Sequence, residues 1–221
     1  MREQFGRETR WLGIGAAATI LAIGAAYGLV LLAGFLSLNS PQQPIGDPYF
    51  SVLEVLILLI APAMVALMAA IHGWAAPPRR TFSLTALCVM TMLATVTGCV
   101  HFVVLTLSHQ PGVLNRPETE WLLSFKWPSL AYVLDIFAWD LLFPLSLLFA
   151  APVFQGAGIC RVIRYVMIAS AVLALAGLAG VVFRDMQLRN LGILGYLGLF
   201  LVVNGLLLQL FLASERQGSR E

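Results

Sequence analysis

Six stretches of the chain, about 12 to 37, 50 to 74, 82 to 107, 130 to 154, 160 to 183 and 190 to 213, are almost continuously apolar. A hydrocarbon layer about 30 Å thick is crossed by roughly 20 helical residues, so each run is long enough to span it. The pattern predicts an all-α chain, a polytopic integral membrane protein folded as a six-transmembrane-helix bundle, with residues 1–221 forming a single transmembrane domain. A membrane β-barrel would instead alternate apolar and polar positions in segments of about ten, whereas Val172 to Val182 is apolar throughout. The first run follows Arg2, Arg7 and Arg10, as a secretory leader would. It far exceeds a leader's apolar core of about 7 to 15 residues and reads as a retained helix.

Composition supports the same reading. Hydrophobic residues make up 60% of the chain and charged residues 11%, against roughly 25% charge in soluble domains, which leaves too little charge to coat a water-facing globule. Disorder is excluded because disordered chains are poor in large apolar residues. A net charge of +2, with basic residues scattered singly or in pairs, excludes nucleic acid as a partner. With six spans both termini share one side. Placing them inside puts nine basic residues inside (Arg2, Arg7, Arg10, Arg79, Arg80, Arg161, Arg164, Arg216, Arg220) and four outside (Arg116, Lys126, Arg184, Arg189). The positive-inside rule then predicts cytoplasmic termini and a plasma (inner) membrane of bacterial type.

Two external connections are long. Residues 39 to 49 carry Pro41, Pro44, Pro48 and Gly46 and read as a stiff loop; residues 117 to 128 mix Glu118, Glu120 and Lys126 with Trp121, Leu122, Leu123, Phe125 and Trp127. That mixture suits either a short helix lying in the outer interface or an aromatic loop resting on the bundle. Small residues at helical spacing (Gly24 with Gly28, Ala176 with Gly180, and Gly192, Gly195 and Gly198) predict close helix packing, and the same faces could join two copies as a homo-oligomer. Cys88, Cys99 and Cys160 match no redox or zinc spacing and read as buried small apolar residues.

The informative residues are the ionisable ones inside the spans, because each costs roughly 2.5 to 3.5 kcal/mol to insert and so marks a site or a partner. These are Glu54, His101, Asp135 and Asp140. Helical rise places Glu54 about 6 Å from the outer boundary, His101 and Asp135 about 10 Å, and Asp140 about 16 Å, all in one leaflet. At 100° per residue Asp135 and Asp140 stand about 140° apart and flank a face carrying Tyr132, Ile136, Trp139 and Phe143. Thr97 and His101 are four apart and share a side. A carboxylate of the fourth span is the natural partner for His101, and Pro144 withholds the hydrogen bond that would reach the Asp140 carbonyl.

This set predicts a polar and aromatic pocket facing the outer leaflet. Asp135, Asp140, His101 and Glu54 are the candidate catalytic groups, with Tyr132, Trp139, Phe143, Ile136 and Thr97 binding substrate. The ingredients suit acid/base or carbocation chemistry on a lipophilic small molecule of terpenoid, sterol or lipid-like type, as in an isomerase or cyclase. The alternatives are a proton-coupled carrier, which would need polar groups continuing into the inner leaflet, and a noncatalytic subunit of a larger complex. Membrane lipid is the surrounding partner; no spacing points to a metal site and no motif calls for a cofactor.

Overall fold

A computed structural model describes residues 6–40, 43, 45–110, 112–113 and 116–218. Arg2, Pro41, Pro44 and Arg220, used above, lie outside the described residues, as do the side chains of Glu118 and Arg216. The described chain is helical and contains no strand. Six helices are long and apolar enough to cross a membrane: α1 (Arg7–Leu36), α2 (Tyr49–Trp74), α3 (Pro77–Leu107), α5 (Leu130–Val153), α6 (Ile159–Val182) and α7 (Met186–Ser214). A short helix, α4 (Pro117–Leu123), lies between α3 and α5.

The helices close a ring in which α1 packs on α2 and α7, α2 on α3, α3 on α5, α5 on α6, and α6 on α7. In α5, 56% of the most apolar window is buried, against 17 to 33% in the other five, so α5 is the most enclosed of the six. Met64, Leu67, Met90, Leu93, Phe143, Leu147, Phe200 and Phe211 fill the core with side chains that exclude solvent completely or nearly so. Outward faces are as apolar as the core: Leu29, Leu32, Phe35, Leu36, Phe102 and Phe183 are all exposed. Soluble monomers do not display apolar surface on this scale, which suggests an integral membrane protein.

Three connections gather at one end of the ring, around residues 37–48, 108–129 and 183–185. At the opposite end the chain turns tightly, and Gly156 and Gly158 there adopt φ of 95° and 65°, where a side chain would be strained. At the loop-rich end Asp47 accepts hydrogen bonds from the backbone N–H and hydroxyl of Ser51 and lies 3.1 Å from His109 Nε2, tying the start of α2 to the end of α3. Those bonds from Ser51, with help from His109, hold the Asp47 carboxyl below the usual carboxylate range. The segment at 117 to 128 is helical over Pro117–Leu123 and leaves Trp121 and Leu122 exposed.

Two helices contain π-turns, Phe137–Leu142 in α5 and Leu194–Leu199 in α7, closed by Phe143 N–H donating to the Ala138 carbonyl and Phe200 N–H to that of Gly195. The first has a visible cause, since Pro144 has no N–H to offer the Asp140 carbonyl and the ladder shifts register around it. Among the small residues, Gly24 meets Leu201 and Gly195 meets the backbone of Ser170 and Ala174, whereas Gly28 and Gly198 have open space beside them. Close packing therefore uses only part of the strips on α1 and α7.

Cys88 and Cys99 are exposed on α3 and Cys160 is half-buried, which corrects the expectation that all three are buried. Their small apolar character suits an outward face as well as a core. If that face lies in lipid, a water-soluble maleimide should leave Cys88 and Cys99 unlabelled in intact membranes, because thiolate formation needs water, and should label both after denaturation. Rapid labelling of both in intact membranes would show that α3 does not span.

Candidate functional site

One network of charged side chains joins four of the six long helices. His101 on α3 sits between two carboxylates, with Nδ1 2.8 Å from Glu54 Oε2 on α2 and Nε2 3.4 Å from Asp135 Oδ1 on α5. The second contact is a close approach whose geometry falls short of a hydrogen bond. Asp135 also accepts from Arg189 Nη2 at 2.6 Å, and Arg189 donates through Nε to Asp140 Oδ2 at 3.0 Å. Glu54, His101, Asp140 and Arg189 are buried, with relative exposures of 4, 2, 0 and 7%. Flat rings brace both basic side chains: Phe125 stacks on His101 with centroids 5.2 Å apart, and Arg189 Cζ lies 4.5 Å from the centre of the Tyr132 ring.

Local backbone explains how the fifth residue arrives. Arg189 ends the 3₁₀ turn Met186–Arg189, whose start is fixed by Asp185 accepting the Gln187 N–H at 3.0 Å. Gly180 allows this turn close to α6, since a Cβ there would stand 3.1 Å from the Arg189 nitrogen. Opposite it, the π-turn of α5 widens the helix so that residues five apart lie near one another, and Asp135 and Asp140 both reach the same guanidinium. This corrects the 140° separation expected of an ideal α-helix. Asp140 Oδ1 has no hydrogen-bond partner and fits a notch made by two glycines: a Cβ at Gly177 or Gly192 would collide with it.

Beside the network is a cavity of about 970 Å³, at the upper end of the roughly 300 to 1,000 Å³ usual for small-molecule sites. Its apolar walls come from α1 (Ile23, Tyr27, Leu31), α2 (Phe50, Leu53, Ile57) and α7 (Ile193, Leu194, Leu197). Glu120, Ser124, Phe125 and Lys126 cover it at the loop-rich end. Glu54, His101, Asp135 and Arg189 give it one charged wall, and Tyr132, Trp139 and Tyr196 line it beside them.

The sequence-predicted residues therefore divide. Glu54, His101, Asp135, Tyr132 and Trp139 line the cavity. Asp140, Ile136, Phe143 and Thr97 do not: the π-turn swings Asp140 behind Arg189, Phe143 packs edge-on against Phe200 at 5.0 Å in the core, Ile136 is buried away from the cavity, and Thr97 is buried one turn before His101 on α3. Arg189 was missed because it precedes the sixth apolar run by one residue and reads as a loop cation. The signal that could have found it is the charge balance, since three carboxyls within apolar runs need more than one histidine as partner. Among the described residues, no group of three histidine, cysteine or carboxylate side chains is placed to hold a metal ion; Glu54 and Asp135 face opposite edges of the imidazole. Compared with known protein families, curated proteins and solved structures, the chain matches none.

The glycine notch yields a test by suppression. Gly192→Ala should destabilise the protein by about 1 to 3 kcal/mol through overpacking against Asp140, measured as unfolding in detergent. The same substitution in an Asp140→Ala background should cost almost nothing, because the colliding oxygen is gone. Equal losses in both backgrounds would contradict the notch.

Proposed function

We propose that the chain is a membrane-embedded enzyme that moves protons on a lipophilic substrate, of terpenoid, sterol or lipid-like type, by acid-initiated isomerase or cyclase chemistry. The observation that supports this most is the charge count of a buried cluster at the wall of an apolar cavity. Glu54, Asp135 and Asp140 bring three carboxyls against one guanidinium and one imidazole. Fully ionised, the cluster carries an excess negative charge, and a low-dielectric setting favours its cancellation by a proton held among Glu54, His101 and Asp135. All three of these groups line the cavity.

In this reading Glu54, His101 and Asp135 are the catalytic groups. The shared proton adds to a substrate alkene, whose π electrons form the new C–H bond and leave a carbocation at the neighbouring carbon. Loss of a proton from an adjacent carbon back to the cluster forms the new double bond, so the cluster is regenerated and no redox partner is required. Arg189 holds Asp135 in place, and Asp140 acts through Arg189 as a positioning residue. Cytoplasmic termini, favoured by the distribution of basic residues, would place the loop-rich mouth at the outer face of a bacterial-type inner membrane. A carrier would need polar groups continuing to the other end of the bundle, where the buried Ser146 is already satisfied by donating to the Ala86 carbonyl and His72 by pairing with Ser83.

Glu54→Gln keeps shape and one hydrogen bond while removing a titrating group. Lipid extracts of cells carrying wild type and Glu54→Gln at equal membrane levels should differ in one lipophilic species, with its product reduced about 100-fold or more, the lower range for lost acid–base catalysis. Identical extracts, compared by mass spectrometry, would reject the enzyme reading.

A further inference from the structure

We propose that the cavity is a cation site, built to hold a lipophilic molecule with a positive charge near its charged wall, such as a tertiary ammonium on a single isoprenoid chain. This deepens the acid–base reading: it names the charge type the site accommodates and rests on that reading only for the natural occupant.

Charge supplies the first argument. Arg189 is already shared between Asp135 and Asp140, 2.6 and 3.0 Å from their oxygens, so its charge is neutralised within the wall. The remaining pair, Glu54 and His101, balances only while the imidazole is protonated, and the five groups together then still carry one excess negative charge. Either a proton or a ligand cation can cancel it in a buried setting. A proton passed to an alkene produces that second state, with the excess on the cluster and the positive charge on the substrate.

Ring placement supplies the second. Tyr27, Phe50 and Trp139 line the same cavity as Glu54 and Asp135. Aromatic faces attract a cation most strongly where water is excluded, and such cages are the usual hosts of alkylated ammonium groups. Tyr132 already serves a cation in this way, lying 4.5 Å from Arg189. An anionic headgroup would meet Glu54, Asp135 and Glu120 along the lining, where Lys126 is a basic residue at the loop-rich end. A volume of about 970 Å³ suits one chain of small-molecule size.

The test uses the whole protein in phosphatidylcholine nanodiscs, whose zwitterionic surface does not itself concentrate cations. Three probes share one chain and differ in the head: N,N-dimethylfarnesylamine, farnesol and farnesoic acid. Binding above that of protein-free discs should rank amine, alcohol, acid, with the amine about tenfold tighter than the alcohol, the least expected of an interaction with a charged group. Glu54→Gln should bring the amine down to the level of the alcohol. Asp140→Asn should do the same from behind the wall, since Asp140 does not line the cavity but contributes to the excess charge.

Equal or tighter binding of the alcohol to the wild type overturns the proposal, and this comparison needs no variant to fold. An amine preference that survives undiminished in both variants also overturns it, because the excess charge is then not its source. The two readings separate cleanly. An amine preference with unchanged lipid extracts from Glu54→Gln cells keeps the cation site and rejects the enzyme; altered extracts without an amine preference keep the enzyme and reject the cation site.

Discussion

Burying a guanidinium between two carboxylates is the constraint around which this bundle is organised. Each charge taken from water costs several kcal/mol even after relaxation, and only close, well-directed partners offset that cost. Arg189 has them in Asp135 and Asp140, and Asp135 passes the connection on through His101 to Glu54. Four helices are thereby held to one register, a specification that apolar packing would not supply if the outer faces meet lipid, because lipid tails are as apolar as the side chains.

Departures from ideal geometry follow from that requirement. A regular α5 would turn Asp140 away from Asp135, and the π-turn forced around Pro144 turns it back. The carboxylate then needs room, which Gly177 and Gly192 provide, and Arg189 needs to approach α6, which Gly180 permits. A second π-turn at Leu194–Leu199 sets Tyr196 against Trp139 and Phe143, with centroids 5.3 and 6.3 Å away, completing the wall between core and cavity. π-turns recur at functional sites in helical proteins. Here two of them flank the charged wall.

Much of the fold was legible in the chain because apolar runs of this length, read as membrane spans, satisfy their backbone hydrogen bonds as helices. Their ends fell within a few residues of those observed, except that α1 begins near Arg7 and α3 near Pro77, ahead of the apolar runs. Glu54, His101 and Asp135 were found from cost alone, since an ionisable group in an apolar run is rarely idle. What stayed hidden had a different physical origin. Angular position assumed a constant 100° per residue, and one π-turn over Phe137–Leu142 shifted that phase, misplacing Asp140 and Phe143 though not Trp139. Arg189 was hidden by the boundary itself, because hydropathy ends a span at the first charge, whether that charge faces water or a buried partner.

The central claim is that Arg189 and Asp140 are energetically bound to each other within the bundle. A double-mutant cycle measures this directly, using Arg189→Met, Asp140→Leu and the combination, with unfolding followed in detergent. Removing the guanidinium alone leaves buried carboxylates short of a partner and should cost about 3 to 5 kcal/mol. The combined variant should be no less stable than Arg189→Met, giving a coupling of about 1 to 3 kcal/mol. Losses that simply add would contradict the account, because the two side chains would then be neighbours without being partners.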